Sequence, residues 1–232
     1  MGSFNHDLYL TYDHMDVYVA TSMRREFDFW NVSRFIEKLF NSALLDDLNL
    51  RWFDPTQAYC RDRLDKGLVE GLMLKRAACT IYLAQEAETL GKDSELATTL
   101  AQGKPVIAYV PHQRDFKTFC EYANEMTREV YPDQDRNEVA LDFLKIYLPQ
   151  GAWSDQQVRA WLDDITAVPY EVILKRIFDE ANKMYDQRAQ SLKEKHLLGL
   201  QMDLNRGVAN GVIVVRSIRC APRSCAASSL ER

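Results

Sequence analysis

Cys79-Thr-Ile-Tyr-Leu-Ala84, then Asp93 to Gln102, then Pro105-Val-Ile-Ala-Tyr-Val110 is the stretch that decides the fold. The two flanking runs are β-branched, aromatic and apolar, each about the length of a fully buried strand. Between them, Asp93 or Ser94 offers an N-cap and Gly103 a left-handed stop, which predicts a short helix. Leu96, Ala97, Leu100 and Ala101 form its apolar stripe, and Glu95, Thr98, Thr99 and Gln102 its polar one. Strand, helix, strand of this length is a crossover between parallel strands. The reading puts Glu95 in the first helical turn at the carboxyl end of a strand, where open α/β sheets bind ligands.

Working outward, the alternation continues toward the N-terminus. Asp16 to Thr21 reads as a strand, Phe27 to Phe40 as a helix and Asn49 to Phe53 as a second strand. Asp54-Pro55 ends that strand, and Leu64 to Ala77 follows as a helix through Leu64, Leu68, Leu72 and Met73. The pattern β-α-β-α-β-α-β predicts a doubly wound parallel sheet. Past Pro111 the recurrences are helical: Phe116, Phe119, Ala123, Met126 and Val130, then Val158, Trp161, Leu162 and Ile165, then Ile173, Ile177, Ala181 and Met184. Leu198 to Leu204 and Val212 to Arg216 flank Asn205-Arg-Gly207 and Asn210-Gly211, which reads as a small β-hairpin or a pair of edge strands. The expected organisation is an α/β domain over 14–112, a mainly helical extension over 113–216 ending in the hairpin, and a disordered tail over 217–232. Met1 to Asp13 reads as a loose polar leader.

Composition narrows the function. The net charge of −5 argues against a nucleic-acid binder that works through phosphate contacts. Among the 232 residues no apolar run approaches the ~20 of a membrane span, and the N-terminus lacks a signal-peptide pattern. Five cysteines without metal-ligand spacing read as reduced thiols in a cytoplasmic protein. Four histidines, none paired at ligand spacing, predict no metal site.

Glu95-Leu-Ala-Thr-Thr-Leu-Ala-Gln-Gly-Lys104, running into Pro105-Val-Ile, resembles the catalytic-glutamate helix of TIR (Toll/interleukin-1 receptor) domains. It is equally similar to the same helix in nucleoside 2-deoxyribosyltransferases. The opening Asp16-Val-Tyr-Val-Ala-Thr-Ser22 looks like the first strand of either family, so the resemblance covers Asp16 to Pro111. The transferases' Asp-Gly-Thr ahead of the glutamate is absent, and the approach here is Gly91-Lys92-Asp93-Ser94. The resemblance implies a flavodoxin-like sheet and attack on the N-glycosidic bond of a nucleoside or nucleotide. It also implies self-association into a homo-oligomer.

That chemistry suits one carboxylate. Cleaving a ribosyl–nitrogen bond builds positive charge on the sugar, which an ionised Glu95 can stabilise or capture. The helix macrodipole favours the ionised form by roughly 0.3–1 kcal/mol. A nicotinamide leaving group is already cationic, so it needs no general acid. The leading expectation is NAD hydrolysis to nicotinamide and ADP-ribose or a cyclic form, with NAD as substrate and no further cofactor. The alternatives are a nucleoside deoxyribosyltransferase or nucleotide N-glycosidase, and a non-catalytic TIR-like interaction module. Around Glu95 the candidate substrate-binding residues are Tyr18, Thr21, Ser22, Arg24, Asp54, Asp93 and Ser94. Tyr18 is placed toward the sugar by likeness to the transferases' first-strand tyrosine, and Arg24 offers a fork for phosphate oxygens. For Glu95 the competing reading is an ordinary first-turn helix glutamate, and for Tyr18 it is core packing.

Overall fold

The computed structural model describes residues 14–53, 60–87, 89–148, 156–164, 168–194 and 211–218. Five parallel strands form one sheet in the order β2-β1-β3-β4-β5, a flavodoxin-like topology. The strands are β1 (Met15–Ala20), β2 (Leu50–Phe53), β3 (Cys79–Leu83), β4 (Val106–Tyr109) and β5 (Val212–Val215). Seven α-helices are described: α1 (Glu26–Phe40), α2 (Arg63–Arg76), α3 (Leu90–Ala101), α4 (Phe116–Val130), α5 (Arg136–Tyr147), α6 (Gln156–Asp163) and α7 (Tyr170–Glu194).

The central strand β3 is buried on both faces, which is why it reads as a nearly unbroken apolar run rather than an alternation. On one face Val17, Val19, Cys79, Ile81, Leu83 and Ile107 pack under Val32, Phe35, Ile36 and Leu39 of α1. On the other, Tyr18, Ala20, Tyr82, Val106 and Ala108 meet Leu96 and Leu100 of α3 and Ala181, Tyr185 and Ala189 of α7. The small residues Ala181 and Ala189 let α7 lie close to the sheet, so the helical segment shares the sheet's core.

Two expectations are corrected. Val212–Val215 is an edge strand, as one of its two readings had it, but no hairpin arm: it pairs in parallel with β4, Val106 opposite Val212 and Tyr109 opposite Val215. An apolar run beside Asn-Gly fits a hairpin locally, but the strand joins a partner about a hundred residues upstream. The proposed first arm, Leu198 to Leu204, lies outside the described residues. Next, α3 starts at Leu90 rather than near Asp93, because the Thr89 hydroxyl caps it, accepting from the Lys92 N–H at 3.3 Å. Its stop matches expectation, with Gly103 at φ 72°. The helix expected over Leu64 to Ala77 is present as α2, with its Leu64, Leu68, Leu72 stripe facing outward and Leu74 as its one buried residue. Two interior glycines, Gly67 and Gly71, each cost α2 about 0.8–1 kcal/mol relative to alanine.

Candidate active site

The alternation of β1 turns Tyr18 toward α3, and the early helix start carries Glu95 into the second turn, above the middle of the sheet. The Tyr18 hydroxyl donates to Glu95 Oε1 at 2.9 Å. Glu95 Oε2 is buried and has no hydrogen-bond partner among the described residues. Tyr18 is itself 2% exposed and stacks on Phe53, ring centroids 5.5 Å apart.

Burial pushes the Glu95 carboxyl up to about 7. The Tyr18 hydrogen bond opposes that rise, the Glu70 carboxylate adds to it, and the Lys66 and Lys92 cations oppose it. The expected control by the helix macrodipole is therefore corrected: the dipole acts within the first turn, and Glu95 lies beyond it. Burial and the nearby Glu95 charge in turn push the Tyr18 phenol well above its ordinary value.

A polar seam runs along the α3–sheet contact on either side of this pair. Lys92 is 2% exposed, donates to the Leu83 carbonyl at 3.0 Å and lies 5.0 Å from the Tyr82 ring centroid. The Thr80 and Thr99 hydroxyls meet at 2.7 Å, and Thr99 also donates to the Glu95 carbonyl. So Thr99, expected on the outer face of α3, is buried, while Ala101, expected inside, is exposed.

The other predicted residues divide. Asp93 accepts from the Tyr82 hydroxyl at 3.1 Å, and Ser94 donates to the Leu90 carbonyl at 2.6 Å, so neither caps the helix. Both are exposed. At the end of β1, the Ser22 backbone is clamped by Gln85, which accepts from its N–H and donates to its carbonyl, both at 2.7 Å. Thr21 buries a hydroxyl that has no partner among the described residues. The Arg24 side chain is exposed, and its N–H donates to Asp28 at 2.9 Å. The structure thus joins Tyr18 to Glu95, and it ties the loop after β1 to Gln85 and Asp28. Asp54 lies outside the described residues.

Sequence reasoning passed over a second buried glutamate. Glu86 lies three residues past the end of β3, and its side chain is 4% exposed. The Tyr147 and Tyr185 hydroxyls both donate to its Oε1, at 2.6 and 3.1 Å, and the Arg25 guanidinium stands 3.6 Å from Oε2. It borders a cleft of about 920 Å³ between α1, α4 and the carboxyl ends of β3 and β4. The available signal was a carboxylate three residues past a fully buried strand, on the crevice side of the sheet.

Among the described residues no group of three or more His, Cys, Asp or Glu side chains is placed to hold a metal ion, and no helix is long and apolar enough to cross a membrane. No family model matches the chain, and no curated protein matches it. A crystal structure titled as a conserved protein from Enterococcus faecalis V583 aligns at 14% identity with a TM-score of 0.41, covering 92% of this chain and 98% of that chain. What this chain itself establishes is an α/β fold with an all-parallel five-stranded sheet and a tyrosine-held glutamate against one face of it.

Proposed function

We propose that this protein breaks the N-glycosidic bond of a nucleotide through Glu95, with NAD as the leading substrate. The observation that carries the reading is the uneven carboxylate: Tyr18 holds Oε1, and Oε2 is buried with no donor among the described residues. Once a substrate displaces the groups that cover it, an oxygen of that kind meets positive charge growing on an anomeric carbon with no competing hydrogen bond to break first. The C1′–N bond breaks and its electron pair passes to the nicotinamide ring nitrogen, which loses its positive charge and leaves neutral. Water adds to C1′ and releases a proton, giving ADP-ribose. No general acid is needed at the leaving group, and a carboxyl near 7 supplies the ionised form to about half the molecules at neutral pH.

The test is nicotinamide release from NAD by the purified full-length chain, followed chromatographically. Glu95→Ala should cost about a hundredfold or more in rate. NAD left intact at high protein concentration, over the pH range around 7, defeats the reading. The Tyr18–Glu95 contact also favours a second reading, deoxyribosyl transfer, since the resemblance to the transferases implies a first-strand tyrosine at the sugar. Incubating a deoxynucleoside with a second free base separates the two: exchange of bases supports transfer, and its absence with nicotinamide release supports hydrolysis.

A further inference from the structure

The outer face of α2 carries features that nothing among the described residues explains. Leu64, Leu68 and Leu72 recur every four residues, so they share one face, and they are 73%, 59% and 59% exposed. Gly67 and Gly71 border the same stripe. A methyl group placed on either would meet nothing within 4 Å, so neither glycine relieves crowding inside the chain. Asp65 and Lys75 are both exposed and lie within about 60° of the stripe, at ~100° of rotation per residue. The acid stands in the first turn and the base in the last.

We infer that α2 pairs with α2 of a second copy of this chain, antiparallel, about a two-fold axis between Leu68 and Leu72. A two-fold interface requires a surface complementary to itself. This one is: reversed on its own image, Leu68 faces Leu72 of the other copy, and Asp65 faces Lys75 of the other copy. The charge order selects the antiparallel arrangement, because a parallel pair would set acid on acid and base on base. The glycines then have a use, since side chains missing at Gly67 and Gly71 let a second helix come close. The inference does not depend on the chemistry assigned to Glu95, and its test uses no catalytic readout.

Sedimentation equilibrium of the full-length chain should show a reversible dimer. Leu68→Glu should raise the dimer Kd about tenfold or more while the melting curve is kept, because the side chain is exposed in the single chain. Gly71→Leu should also weaken the dimer although it adds apolar surface, which separates close helix approach from simple stickiness. Asp65→Lys and Lys75→Glu should each weaken it, and the two together should restore it. A chain that stays monomeric at every concentration overturns the inference, as does a dimer whose Kd is unchanged in Leu68→Glu. Failure of the double charge reversal to restore pairing overturns the antiparallel arrangement.

Discussion

Glu86 and Glu95 stand nine residues apart after the same strand, and both are withdrawn from water, yet their partners differ. Glu86 receives two tyrosine hydroxyls on one oxygen and faces Arg25 with the other. Glu95 receives one hydroxyl, and its second oxygen receives nothing from the described residues. A saturated buried carboxylate ties elements together: Tyr147 ends α5, Tyr185 lies on α7 and Arg25 precedes α1. An unsaturated one is costly to the fold, and packing alone does not account for it. The contrast teaches that burial by itself does not tell two glutamates apart; the accounting of their oxygens does.

The widest separation between the two comes from truncation. Glu86→Ala should lower unfolding stability by about 3 kcal/mol in a denaturant titration, because two phenols and a guanidinium lose their acceptor. Glu95→Ala should leave stability within about 1 kcal/mol of the parent at neutral pH while abolishing the proposed cleavage. Reversal of that pattern would make Glu95 the structural residue.

A neutral isostere sharpens the point through pH. The Glu95 carboxyl sits at about 7 when folded against an ordinary 4.5, so the folded state holds its proton more tightly than the unfolded one. Its contribution to stability is therefore complete below about 4.5 and is lost as pH rises through 7. Glu95→Gln should match the parent at low pH and gain roughly 2–3 kcal/mol over it above pH 7, read from melts across that window. A gap independent of pH would mean that the carboxylate is solvated.

Tyr18→Phe should act more gently. Losing its hydrogen bond removes the contact that holds the Glu95 carboxyl down, so the acid limb of the proposed activity should move to higher pH. The rate at neutral pH should fall about tenfold, with maximal activity regained in more alkaline buffer; an unmoved limb would separate Tyr18 from the chemistry. Tyr185→Phe should have the smallest effect, roughly 1 kcal/mol of stability, because its 3.1 Å bond shares Oε1 with Tyr147. A larger loss than Glu86→Ala would show that Tyr185 matters to packing rather than to the carboxylate.

Much of this was legible from residues alone. The buried strands, the left-handed stop at Gly103 and the helical spacing of Phe119, Ala123 and Met126 are local signals, and they hold. The site was legible only in part. Glu95 and Tyr18 were both named, but the helix start was misjudged. Thr89 sits among polar residues, and which polar side chain caps is settled by what else competes for Asp93 and Ser94. Glu86 went unread because its partners come from residues sixty and a hundred positions away.

Periodicity, caps and stops depend on neighbours within a turn or two, so the chain by itself determined that strands and helices alternate and roughly where each one lies. Tertiary structure alone decided that Val212–Val215 closes the sheet in parallel, that the leucines of α2 face outward, and that one glutamate is saturated while the other is not. These are contacts between distant segments, and their energies depend on which surfaces meet once the backbone has folded.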